Sequence, residues 1–226
     1  MSNIIKRNKY IAFVILIGGR SARFGNDKGL HEFLGKPLIS YQLDILTQFD
    51  IDIFLVANSK TQVGDYIDKI DYEQISAFIV DDNQLIKGES IRSPMIGLYT
   101  AFKELKPLNY EKAFALSCDM PLIKANVINL LINEAKKYDC CIPKWKNHYL
   151  EPLFAVYPIS KALERIKKIL RNNKLKLLNI IDEEWNIRYI SIENEISVID
   201  PELVSFVNIN RISDLNALSE KFQKNE

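Results

Sequence analysis

From Tyr10 to Ile17 the chain reads YIAFVILI and then turns at once into GGRSARFGNDK. An uninterrupted apolar run of strand length, rich in Ile and Val, is the mark of a strand buried on both faces. Such a strand needs layers on either side, so this segment favours a sheet covered by helices. The glycines that follow permit a tight turn and close approach of a ligand, and exposed backbone N–H groups in such a turn can cradle an anion. Arg20, Arg23 and Lys28 bring positive charge to the same loop, a combination suited to a triphosphate.

The loop fits neither of two familiar phosphate-binding patterns. In G-x-x-x-x-G-K-[ST] the second glycine precedes the lysine directly, whereas Gly19 to Gly25 is one residue too long and Asn26 follows. The dinucleotide pattern G-x-G-x-x-G is not supplied by Gly18-Gly19-Arg20-Ser21. A glycine turn flanked by ordinary surface arginines is the bland alternative, and the rest of the chain decides between them.

Further along, strand and helix patterns alternate. Strands are expected at 10–17, 51–58, 76–82 and 112–119. Helices are expected at 38–49, more weakly near 60–70, at 93–105 with a proline in its first turn, and at 127–138. This alternation implies βαβ crossovers and a mostly parallel twisted sheet of Rossmann-like α/β class. The second half is less regular. CCIPKW, PLFAVYP and NIRYISI read as strands, SKALERIKKILRN as an amphipathic helix with a solvated basic face, and FVNINRISDLNALSEKF as a strand followed by a helix capped by Ser213 and aided by Asp214. One domain over 1–226 is expected, with a nucleotide-binding half at about 8–125 and an acceptor-binding half at about 126–226.

A net charge of +1 gives no bulk attraction to nucleic acid. No signal peptide or stretch of about 20 apolar residues is present, so neither secretion nor a membrane span is expected. Cys118 and the vicinal pair Cys140 and Cys141 form neither a disulfide framework nor a zinc motif, which points to reduced thiols and a cytoplasmic protein. His31 and His148 belong to no convincing triad and read as ordinary surface or core residues.

In an open parallel sheet, ligands bind beyond the carboxyl ends of the strands. Those ends carry the glycine–arginine loop, Asn58, the pair Asp81-Asp82, and Asp119 within SCDMP. Asp119 can hold Mg²⁺, which takes oxygen ligands and bridges to substrate phosphates; capping of the next helix is the alternative role. Met120-Pro121 is expected to end the strand and open that helix.

GGRSARFGNDKGLHEFLGKPLISY resembles the opening of the molybdenum cofactor guanylyltransferases, the MobA family, with its pattern close to LAGG-x-S-x-R-M-G-x-D-K followed by G-K-P-L. LVANS, SPMIGLYTAF, SCDMP, EPLFAVYP and FVNINRISDL continue the resemblance in family order, from about residue 10 to 220. The chain departs from the pattern with Ile17 for alanine, Phe24 for methionine, and Ser93 and Ile96 in the GPLAG segment.

This resemblance implies a Mg²⁺-dependent nucleotidyltransferase that joins GMP from GTP to the phosphate of molybdopterin and releases pyrophosphate. It implies backbone contacts to the nucleotide from Leu16, Ile17, Gly18 and Gly19. Lys28 and Arg23 would steady the phosphates, Asn58 the guanosine, and Asp82 (or its neighbour Asp81) would lie at the nucleotide. Asp119 would ligate the metal, and Asn208 and Asn210 would belong to the acceptor half. Other cofactor-biosynthesis proteins or recipient molybdoenzymes would be partners. A cytidylyltransferase or sugar-phosphate nucleotidyltransferase of the same fold, or a nucleotide-binding protein without turnover, are the alternatives.

Overall fold

The computed structural model describes residues 9–18, 27–81, 93–172 and 175–223. Its centre is a seven-stranded sheet. In chain order the strands are β1 (Lys9–Leu16), β4 (Ile53–Ala57), β5 (Ala77–Val80), β6 (Tyr110–Ser117), β7 (Cys140–Lys144), β8 (Phe154–Pro158) and β9 (Ile187–Ser191). The numbers β2 (Glu32–Phe33) and β3 (Lys36–Pro37) belong to a separate two-stranded ribbon. Across the main sheet the order is β5-β4-β1-β6-β8-β7-β9. The first four strands are mutually parallel, and β8 is antiparallel to both β6 and β7. β7 and β9 are parallel to each other, so β8 alone runs backwards.

The alternation of side chains along β1 shows why an all-apolar run was needed. Ile11, Phe13 and Ile15 enter one core, while Ala12, Val14 and Leu16 enter the other. Helices α1 (Leu38–Leu46), α2 (Lys60–Ile67) and α4 (Ala125–Ala135) cover the first face through Ile39, Leu43, Tyr66, Val127 and Leu131. The opposite face is covered by α3 (Pro94–Leu105) and α5 (Ile159–Arg171) through Leu98, Phe102, Leu163 and Ile166. The last helix, α6 (Ile212–Gln223), packs Leu215 and Leu218 against Phe33, Leu38 and Ile209. No helix among the described residues is long and apolar enough to cross a membrane. All three cysteines are buried and unbridged.

Three local expectations need correction. The FVN segment is no strand: buried Asp200 accepts the N–H groups of Val204 and Ser205 at 3.2 and 2.9 Å and curls Val204–Phe206 into a 3₁₀ turn. Ser213 does not cap α6, which begins at Ile212; the Asp214 carboxylate accepts the N–H groups of Asn210 and Arg211, both at 2.8 Å. Met120-Pro121 opens no helix, because α4 begins at Ala125 after Lys124.

The rim at the amino ends of the parallel strands is tied by one polar cluster. Asp52, just before β4, accepts from Lys9 at 2.8 Å, from Ser76 at 2.9 Å and from Tyr110. These residues stand at or beside the starts of β1, β5 and β6. Partial burial pushes the Asp52 carboxyl up, but the bonds from Lys9, Tyr110 and Ser76 outweigh it and hold it below its ordinary value of 3.8. A carboxylate depressed by folding stabilises the fold above its unfolded pKa, and that stability is lost as pH falls through the folded value. Asp52→Asn should therefore be less stable than wild type in denaturant at pH 7, with the gap closing as the pH falls below 3.8. An equal gap at both pH values would show that the cluster contributes no charge-dependent stability.

Candidate active site

Strand order reverses at β1, where β4 and β5 lie to one side and β6 to the other. In such sheets the crevice beyond the carboxyl ends at this point is the natural ligand site. Here the crevice is closed from both banks. Cys118 N–H donates to Leu16 O at 3.3 Å, and Lys28, arriving from the loop after β1, reaches across to Asp119 beyond β6 with Nζ–Oδ2 at 2.9 Å. The same ammonium lies 3.1 Å from Asn210 Oδ1. Three segments separated by 91 and 182 residues from Lys28 thus meet at one cation.

Each participant is fixed by its own backbone. Ile209 N–H donates to Asp119 O at 2.9 Å, which lays the Val207–Arg211 stretch along the loop after β6. Ile209 is buried between exposed Asn208 and Asn210. Asn210 joins Lys28, whereas Asn208 Nδ2 donates to Phe206 O at 3.2 Å. The loop after β6 is held from beneath by Gln42 of α1, a fully buried side chain whose Nε2 donates to Ser117 O at 2.7 Å and to Met120 O at 2.8 Å. Asp119 caps no helix. Among the described residues its Oδ1 is buried and has no hydrogen-bond partner. Asp119 Oδ2 and Asn210 Oδ1 share the Lys28 ammonium, and the orphaned Oδ1 leaves one carboxylate oxygen of the kind Mg²⁺ takes as a ligand.

On the other bank, Leu16 and Ile17 bury their side chains. The N–H groups of Ile17 and Gly18 both donate to Val56 O, at 3.0 and 3.2 Å. Asn58 lies on Gly18 so closely that a Cβ there would stand 2.4 Å from Asn58 Oδ1, so a larger residue would have to displace the Asn58 side chain. Asp81 N–H donates to Ala57 O at 2.7 Å and its Oδ1 accepts from Thr100 of α3 at 2.8 Å, which ties the end of β5 to that helix. Gly19, Arg23 and Asp82 lie outside the described residues.

Sequence reasoning passed over two kinds of residue. Gln42 and Gln62 hold loop backbone, and neither amide stands out in a helical pattern. Glu151, in the EPLFAVYP segment, accepts from Trp145 Nε1 at 2.6 Å. Burial pushes its carboxyl up, the Trp145 bond opposes this, and the Asp119 charge adds to the rise. Glu151 thus lies close enough to Asp119 to feel its charge, and the Glu-Pro step before a strand was its only signal.

The geometry is matched by kinship. Residues 13–181 match the family model of the MobA-like NTP transferase domain. The chain belongs to this family. A protein of Thermococcus gammatolerans named "Probable molybdenum cofactor guanylyltransferase" is 37% identical over 209 residues, 90% of this chain and 96% of its own. A protein of Pyrococcus horikoshii with the same name is 34% identical over 91% of this chain and 97% of its own. Among solved structures, molybdopterin-guanine dinucleotide biosynthesis protein A from Archaeoglobus fulgidus superposes with a TM-score of 0.75 at 27% identity, covering 94% of this chain and 99% of that one. The 4-diphosphocytidyl-2C-methyl-D-erythritol synthase of Anaerococcus prevotii shares the fold alone, with a TM-score of 0.65 at 15% identity, over 98% of this chain and 100% of that one.

The dependence of the site on Gln42 is open to test. Gln42→Leu keeps the volume nearly constant and removes the donations to buried Met120 O and part-buried Ser117 O together with the partnerless Oε1, a net loss on the order of 1 kcal/mol. Chemical denaturation should show that loss, and a variant as stable as wild type would mean that the loop carrying Asp119 supports itself.

Proposed function

We propose that this protein transfers GMP from GTP to the phosphate of molybdopterin, with release of pyrophosphate. The observation that carries the reading is the Lys28 ammonium held between Asp119 and Asn210 at the switch-point crevice, in a chain whose relatives bear the guanylyltransferase name over nearly their full length. Phosphoryl and nucleotidyl transfer require positioning and neutralisation of charge more than covalent chemistry. Lys28 meets the triphosphate, with Arg23 and the loop N–H groups around Gly19 completing the cradle. Asn58, stacked against Gly18, and the backbone of Leu16 and Ile17 hold the nucleoside, and Asp82 borders it.

The acceptor phosphate is ionised at neutral pH, so its oxygen attacks the α-phosphorus without a general base, and neither His31 nor His148 is required. Asp119 would hold Mg²⁺ through its orphaned Oδ1, with Asn210 Oδ1 beside it. Bound there, Mg²⁺ would offset the charge growing on departing pyrophosphate. Asn208 and Asn210 face the acceptor half. The protein acts in the cytoplasm, where its product passes to other cofactor-biosynthesis proteins or recipient molybdoenzymes.

Pyrophosphate release, measured with Mg²⁺, molybdopterin and each of GTP, CTP, ATP and UTP, tests the reading. Release is expected with GTP alone and only when Mg²⁺ and molybdopterin are both present. Release with CTP instead would move the base specificity, and release with none would overturn the reaction. Asp119→Ala should abolish turnover, and full activity in that variant would remove the metal assignment. Lys28→Ala should weaken GTP binding by about tenfold or more, the scale of one lost charge-assisted hydrogen bond. An unchanged dissociation constant would separate Lys28 from the triphosphate.

A further inference from the structure

Lys28 is preceded by Asp27, and this carboxylate is gripped from three sides. Tyr66, fully buried in α2, donates its hydroxyl to Asp27 Oδ1 at 2.7 Å, and Gly29 N–H donates to the same oxygen at 3.0 Å. Gln62, one turn earlier on the same helix, donates from Nε2 to Asp27 Oδ2. The second hydrogen of that Nε2 goes to Ile17 O at 3.0 Å, and Gln62 Oε1 accepts Asn58 N–H at 2.7 Å. One side-chain amide therefore bonds three separate groups: the end of β1, the residue after β4, and the carboxylate beside Lys28. The packing leaves no slack, since a Cβ on Gly29 would lie 2.2 Å from the Tyr66 hydroxyl. Burial holds the Tyr66 phenol well above its ordinary pKa, so it stays a donor.

We infer that Gln62 and Tyr66 are positioning residues that set the place of the triphosphate, by clamping Asp27 so that Lys28 stands fixed over the crevice. Neither touches the nucleotide. Gln62 also couples the nucleoside side, through Ile17 and Asn58, to the phosphate side, through Asp27. Tyr66 acts on the phosphate side alone. The inference rests on the proposed nucleotide site but not on the identity of base or acceptor.

The asymmetry between the two residues supplies the test. Dissociation constants are measured by titration for wild type and Tyr66→Phe, with the triphosphate that wild type turns over and with the corresponding nucleoside monophosphate. Tyr66→Phe should weaken the triphosphate by about tenfold, the scale of a hydrogen bond to a charged group. It should leave the monophosphate within about twofold, because the nucleoside contacts are untouched. Equal weakening of both would mean general loosening of α2, and no weakening of either would mean that the clamp does not position Lys28; both results overturn the inference. A polarity swap gives the second arm. Asp27→Asn sets two amide donors against each other and Gln62→Glu sets two carboxylates together, so each alone should weaken triphosphate binding. The double variant restores the bond with donor and acceptor exchanged, while the new Glu can still accept Asn58 N–H. It should bind more tightly than the product of the single effects allows, whereas simple multiplication would count against direct coupling. Should a swapped variant fail to fold, Tyr66→Phe decides. If wild type turns over CTP rather than GTP, the proposed specificity falls while the clamp is tested unchanged with CTP.

Discussion

The contact on which the site depends is the ammonium of Lys28 between Asp119 Oδ2 and Asn210 Oδ1. It joins the loop after the first strand, the loop after the sixth and a segment just before the last helix. A Lys–Asp pair that is mostly shielded from water is expensive to assemble and is maintained only where each partner has further hydrogen bonds. Here the supports are the Asp27 carboxylate clamped beside Lys28, the Gln42 amide beneath Asp119, and the Ile209 N–H on Asp119 O. The second oxygen of Asp119 stays buried and without a hydrogen-bond partner among the described residues.

Two glutamines on different helices perform related tasks on opposite banks of the crevice. Gln42 fixes the carbonyls around Asp119, and Gln62 fixes the groups around Lys28. An amide suits this use because its two N–H donors can hold two groups at once without bringing charge to an already charged site, and in Gln62 the amide oxygen accepts as well. The candidate site is thus held by neutral amides on helices, with its charged groups on the adjoining loops.

Much of this architecture could be read from the chain. β1 and β4 announced themselves as apolar runs because burial on both faces leaves little room for polar residues, and β1 and β6 were placed within two residues of their bounds. Lys28, Asn58 and Asp119 were named because strand ends gather on one rim and Asn210 because of the family resemblance; the structure brings Lys28, Asp119 and Asn210 into contact. The ribbon of β2 and β3 was missed: two residues per strand cannot show a period, and its turn uses Leu34 at φ 44° before Gly35 rather than a typical turn residue. The FVN segment looked like a strand, yet buried Asp200 takes the N–H groups of Val204 and Ser205 just before it, and Phe206 and Val207 donate back into the resulting turn. The two glutamines were illegible for a different reason, since all but one of the partners named for them, the Asp27 carboxylate, are backbone atoms that no side-chain pattern encodes.

The single reversed strand has a geometric effect on everything above it. Because β8 runs against its neighbours, β7 and β9 regain the direction of β1 and β6, and their carboxyl ends open on the same side. The working rim is therefore one continuous ledge of seven strands and six inter-strand steps, about 29 Å from end to end at the usual spacing. An elongated reactant can lie along such a ledge with its two ends read by different halves of the chain. Changes in the turn between β7 and β8 can then reshape one end of the ledge while the other, some four strands away, keeps its grip unaltered.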